Sequence, residues 1–127
     1  KPVPDPEIET LIRATAQAAG IPQRAFTDRE IVERTVFALI NEGARALEAG
    51  LALRASDIDI IYTSGYGFPA WRGGPMFYAD RVGLDHVLTR IRAFHDQFGD
   101  RWAPAPMLEH LAAAGRTFRE RDREARG

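Results

Sequence analysis

Apolar positions recur at helical spacing along most of this chain, and no convincing pair of alternating strands interrupts them. Asp5 before Pro6 supplies an N-cap acceptor and a proline at the first helical position. Ile8, Leu11, Ile12, Thr15 and Ala19 then hold the 3.6-residue period until Gly20 and Pro22. Thr27-Asp-Arg-Glu30 is a capping box that opens the strongest helix, expected over 28–49. Its stripe reads Ile31, Thr35, Leu39 and Leu47, widened by Val32, Val36, Ile40 and Gly43, with Gly50 as the stop. Ser56 to Asp59 caps a short element carrying Ile58, Ile61 and Tyr62. Pro75 starts a helix through Met76, Phe77 and Tyr78 to Gly83. A further helix over 85–98 carries Val87, Leu88, Ile91, Phe94 and Phe98, and a last one carries Met107, Leu108 and Leu111 to Gly115. The expected fold is all-α, a single helical domain of five to six helices.

Between the third and fourth of these elements lies a segment that cannot be regular. Residues 65–74 hold Gly65, Tyr66, Gly67, Phe68, Pro69, Trp71, Gly73 and Gly74, four glycines and three rings in ten positions. Such a loop is expected to be structural, ordered by burying Tyr66, Phe68 or Trp71. The chain divides into a linker and leading helix over 1–24, a domain over 25–116 and a charged tail over 117–127, expected to be solvated or frayed. Lys1 in place of a methionine and the Pro-rich start read as the cut edge of something longer.

Composition removes several classes of function. Seventeen basic and 18 acidic residues leave a net charge of −1, without the basic footprint of a nucleic-acid or membrane-surface protein. No run approaches 18 apolar residues, so no membrane span is expected. The chain has no cysteine, hence no disulfide, thiolate nucleophile or Cys-ligated metal.

The candidate chemistry is thin. Gly65-Tyr-Gly67-Phe-Pro-Ala70 fits G-x-G-x-x-A, but Pro69, Gly73, Gly74 and Pro75 fall where a dinucleotide-binding helix would have to begin. No cofactor-binding residue is therefore assigned. His86 and His95 stand nine residues apart on one helix, on opposite faces, and His110 has only Glu109 beside it, so no metal site is assigned. Ser64 lacks the flanking glycines of a nucleophile elbow. Glu30 and Glu33 with Arg34 and Arg45 resemble a solvated face, and Glu42 a partly buried ion pair with an arginine. No nucleophile–base–orienter set emerges, so no catalytic residue is assigned.

The residues do resemble a family. Ile31-Val-Glu-Arg34, Ala38-Leu-Ile-Asn-Glu-Gly43, Ala55-Ser-Asp-Ile-Asp59, Val82-Gly-Leu84 and above all Gly65-Tyr-Gly-Phe-Pro-Ala-Trp-Arg-Gly-Gly-Pro-Met-Phe-Tyr78 carry the likeness. It is to the C-terminal helical domain of 3-hydroxyacyl-CoA dehydrogenases, and more closely to the second of two tandem copies in multifunctional β-oxidation enzymes. The resemblance implies a parent that oxidises (3S)-3-hydroxyacyl-CoA to 3-oxoacyl-CoA. NAD and the catalytic pair would lie on a separate Rossmann domain, and acyl-CoA would be met through the parent. In the first copy an active-site asparagine stands within a pattern like Ile-Val-Asn-Arg; here Glu33 takes that place. A carboxylate cannot donate the amide's hydrogen bonds, so the catalytic role is not carried over.

The implied role is non-catalytic packing against the first helical copy and the nucleotide domain. One alternative is a sole helical domain whose Glu33 and Asn41 line the substrate cleft. Another is a free-standing interaction module whose aromatic loop binds a peptide. The isolated chain is expected to form a homodimer through Val32, Val36, Leu39, Ile40 and Gly43. The arginine bias, and an Ala-Arg-Gly ending unlike a peroxisomal Ser-Lys-Leu signal, point to a bacterial cytoplasm.

Overall fold

The computed structural model describes residues 3–125. Lys1 and Pro2 of the expected linker, and Arg126 and Gly127 of the expected tail, lie outside the described residues. Seven α-helices and two 3₁₀ turns follow one another, and no strand occurs among the described residues. The helices are α1 (Pro6–Ala18), α2 (Asp28–Glu48), α3 (Ala55–Gly65), α4 (Pro75–Val82), α5 (Leu84–Phe98), α6 (Pro106–Ala113) and α7 (Phe118–Glu124). The 3₁₀ turns are Ala70–Arg72 and Asp100–Trp102.

Local sequence sets most of these boundaries. Asp5 accepts the Glu7 amide and Thr27 the Glu30 amide, while Pro6, Pro75 and Pro106 open their helices. Where Ser56 was expected to cap α3, Arg54 takes the N-cap position and the helix starts at Ala55, two residues earlier than a Ser56 cap implies. Most of the described part of the 117–127 segment, expected as a solvated tail, instead forms α7. Thr117 and Glu120 make a reciprocal capping box, and Phe118 is fully buried in the core.

The centre of the domain is α2, packed against α4, α5 and α6. Its buried line is Phe37, Ile40, Ala44 and Leu47, joined by Met76 and Ala79 of α4, Val87, Ile91 and Phe94 of α5, and Leu108 and Leu111 of α6. The expected stripe is rotated from this line, since Ile31, Val32 and Thr35 are exposed. Phe37 and a buried Glu33 turn the helix toward α5. Ile40 and Gly43 lie in the core, so a pairing centred on α2 loses two of the five residues expected to carry it. A Cβ on Gly43 would stand 2.5 Å from the Met76 sulfur, so a larger residue there would require the buried Met76 side chain to move. Helix α1 buries no residue, and Ile8, Leu11 and Ile12 are exposed.

Candidate functional site

Glu33 is on the inner side of α2, only 6% exposed. Arg29 Nε donates to one carboxylate oxygen at 2.8 Å, and Arg90 Nε of α5 donates to the other at 2.7 Å. His86 Nε2 stands 3.7 Å from the same group. Burial pushes this carboxyl up, but its hydrogen bonds from Arg29 and then Arg90 outweigh that and hold it below the ordinary range. Glu33 is thus a charged tie between α2 and α5, not a member of a solvated face. Glu42, expected to be partly buried, is exposed beside Arg45.

Asn41 is also turned inward. Its Nδ2 donates to the Ala103 carbonyl at 2.9 Å, and its Oδ1 accepts the Ala105 amide at 2.8 Å. The side chain holds the extended turn 103–105 against α2, and Arg45 Nη2 donates to the same Ala103 carbonyl at 2.5 Å. Glu33 and Asn41 stand eight positions apart on α2, each fastened to a different neighbour.

The third polar group escaped sequence reasoning altogether. Asp59 of α3 accepts the Met76 amide at 2.7 Å and the Phe77 amide at 3.1 Å, the first free donors of α4 after Pro75. Asp80 of α4 accepts the Phe118 and Arg119 amides of α7 at 2.9 and 3.0 Å. Asp122 of α7 accepts the Ala55 amide of α3 at 2.8 Å. Three helices therefore cap one another in a closed ring, each giving a carboxylate to the positive end of the next. The carboxylates edge a crevice of about 450 Å³ that Arg119 and Arg123 also line. Among the described residues, no group of three histidines or carboxylates is placed to hold a metal ion.

Burial raises Asp59 to about 6 despite its two amide donors, and the neighbouring charges of Asp80 and Asp122 add to the rise. Asp80 moves in the same direction, again chiefly by burial. A raised carboxyl binds its proton more tightly in the folded state than in the unfolded chain. Stability therefore rises as pH falls from about 7 through 6. Glu33, held low, gives the opposite slope at more acid pH. Thermal unfolding across pH is expected to show a higher melting temperature at pH 5.5 than at pH 7.5, and Asp59→Asn is expected to flatten that limb. A wild-type melting temperature that falls over the same interval would contradict this assignment.

The loop after α3 differs most from expectation. Tyr66 is 76% and Trp71 78% exposed, and Phe68 is half-buried. Tyr66 leans on Tyr62, and the Arg72 guanidinium stacks over Trp71 at 4.2 Å and Tyr78 at 5.3 Å. The backbone supplies the order instead. The Phe68 amide donates to Tyr62, the Arg72 amide to Pro69 and the Gly73 amide to Ala70. Gly67, Gly73 and Gly74 take positive φ, and Gly74 lies directly against Asp59. Gly65 closes α3 with open space around it.

The architecture and these residues together define a known class of domain. The family model for the 3-hydroxyacyl-CoA dehydrogenase C-terminal domain matches residues 31–125, and the chain belongs to that family. It is 48% identical over 114 residues to a peroxisomal bifunctional enzyme of Danio rerio, covering 88% of this chain and 16% of that protein. The human peroxisomal bifunctional enzyme is 38% identical over 114 residues, covering 88% and 16%. A glyoxysomal fatty acid beta-oxidation multifunctional protein of Cucumis sativus is 34% identical over 119 residues, covering 91% and 16%. The chain thus spans about one-sixth of the length of these relatives. Their peroxisomal and glyoxysomal names overturn the expectation of a bacterial cytoplasmic setting, which rested on arginine usage and three terminal residues.

Proposed function

We propose that this chain is the non-catalytic C-terminal domain of an NAD-dependent dehydrogenase that converts (3S)-3-hydroxyacyl-CoA to 3-oxoacyl-CoA in fatty-acid β-oxidation. Its work is mechanical: it packs against a homologous helical copy and the nucleotide domain, and keeps the acyl-CoA cleft in shape. The observation that carries this reading is where its polar side chains point. Glu33, Asn41, Asp59, Asp80 and Asp122 all bind the domain's own helices and turns. Glu33 in particular, at the position of the family's asparagine, is engaged by two arginines and offers no donor to a substrate. NAD and acyl-CoA would be held by the rest of the parent.

The test compares the 127-residue chain with its full-length parent. The parent is expected to reduce NAD with a 3-hydroxyacyl-CoA, read by NADH absorbance. The chain alone is expected to show neither turnover nor calorimetric heat with NAD. Glu33→Gln in the parent is expected to weaken thermal stability while leaving KM for the acyl-CoA within about twofold. A large KM change without loss of stability would favour the cleft-lining alternative.

A further inference from the structure

The exposed loop over 65–74 has a property that core packing does not explain. Its backbone is fixed at both ends, by Phe68 to Tyr62 on one side and by the Gly74–Asp59–Met76 contact on the other. Yet Tyr66 and Trp71 face solvent, and Phe77 beside Gly73 is also exposed. Large rings on a rigid support are a recurrent form of protein interface, because their ordering entropy is already lost before the partner arrives. Arg72 adds a direction. Its guanidinium lies over Trp71 and Tyr78 and has no carboxylate partner among the described residues. Several other arginines are paired, as Arg29 and Arg90 are with Glu33, Arg54 with Asp57 and Arg92 with Glu109, and what sets Arg72 apart is its stacking over the rings of Trp71 and Tyr78.

We propose that the loop over 65–74 is the docking element by which this domain seats on the upstream part of its parent polypeptide, with Trp71 and Tyr66 on an apolar surface and Arg72 on a carboxylate of that surface. The inference rests on the proposed function, since it takes that parent as the partner. Chain length favours this occupant: about five-sixths of each relative lies outside the segment matched by this chain. Charge favours it too. One cation within a chain of net charge −1 is too little for a phosphate-rich surface, and suits a single buried acid on a protein face.

Oxidative footprinting of the full-length parent and of the 127-residue chain tests the proposal, with the core residue Trp102, 7% exposed, as internal reference. Trp71 and Tyr66 are expected to label readily in the chain and at least tenfold more slowly in the parent. In the parent, Trp71→Ala and Arg72→Glu are expected to speed proteolytic release of the domain, with Arg72→Lys intermediate. Neither is expected to shift the melting temperature of the isolated chain, because both side chains are exposed. Equal labelling in chain and parent would overturn the inference. So would protection of Trp71 in the chain alone that grows with concentration, since the occupant would then be a second copy. A parent that shows no dehydrogenase activity would remove the proposed function instead. An active parent with a freely labelled Trp71 would remove only the docking role.

Discussion

Ending the chain at Gly115 is expected to unfold the domain, although the segment removed looks like a dispensable charged tail. Phe118 is fully buried, and deleting a buried phenylalanine side chain alone costs about 3–5 kcal/mol. The truncation also removes Asp122 from the Ala55 amide and takes both donors from Asp80. With α7 gone, water replaces these partners, so each lost hydrogen bond adds about 0.5–1.5 kcal/mol. Domains of ordinary stability hold about 5–15 kcal/mol in total, so these losses are comparable to the whole. Circular dichroism is expected to show no cooperative melt for the truncated chain. Phe118→Ala should reproduce most of the effect, and Arg123→Ala, an exposed residue on the same helix, should stay within about 0.5 kcal/mol of wild type. A truncated chain melting within a few degrees of wild type would show that α7 is peripheral after all.

That contrast marks where the sequence could be read and where it could not. Helix starts with a local chemical cause were legible: Asp5 before Pro6, the Thr27 cap (though Glu30 turns to Arg24 and does not close the expected box), Pro75 and Pro106. The box at Thr117 and Glu120 is the same local signal. Only the density of charge around it made the segment look solvated. The ring of carboxylates carries no such signal, because its bonds join residues 17, 38 and 67 positions apart. Glu33 was misplaced for the same reason. Arg29, Glu30 and Arg34 stand beside it on α2, and the arginine that draws it inward stands 57 residues away on α5. In the aromatic loop, composition identified an ordered segment but not its cause. Rings usually imply burial, whereas here glycine backbone and an aspartate hold the chain and the rings are left outside.

The glycines of that loop should therefore differ sharply from one another when each is changed to alanine. Gly74 has φ +103°, a conformation that side chains rarely adopt, and an added Cβ would stand 2.6 Å from the Asp59 Cα. The strained conformation costs about 1–3 kcal/mol, and forcing apart two packed backbones costs about 1–3 kcal/mol more. Because the obstacle is main chain, no rotamer of Asp59 relieves it, and the displacement would pull Asp59 from the Met76 and Phe77 amides as well. Gly73 also has positive φ, but its added Cβ meets the ring of Phe77, an exposed side chain that can swing aside. Only the backbone strain should remain there. Gly65 ends α3 in open space, so alanine should be neutral or stabilising by about 0.4–1 kcal/mol through the unfolded chain. Melting temperatures are expected to fall in the order Gly65→Ala, Gly73→Ala, Gly74→Ala, with the last lowest by many degrees. Adding Asp59→Ala to Gly74→Ala should not restore stability, because the contact with the α3 main chain survives and the α4 cap is lost. Equal melting temperatures for Gly65→Ala and Gly74→Ala would mean that α3 and α4 do not meet as closely as the Asp59 contact requires.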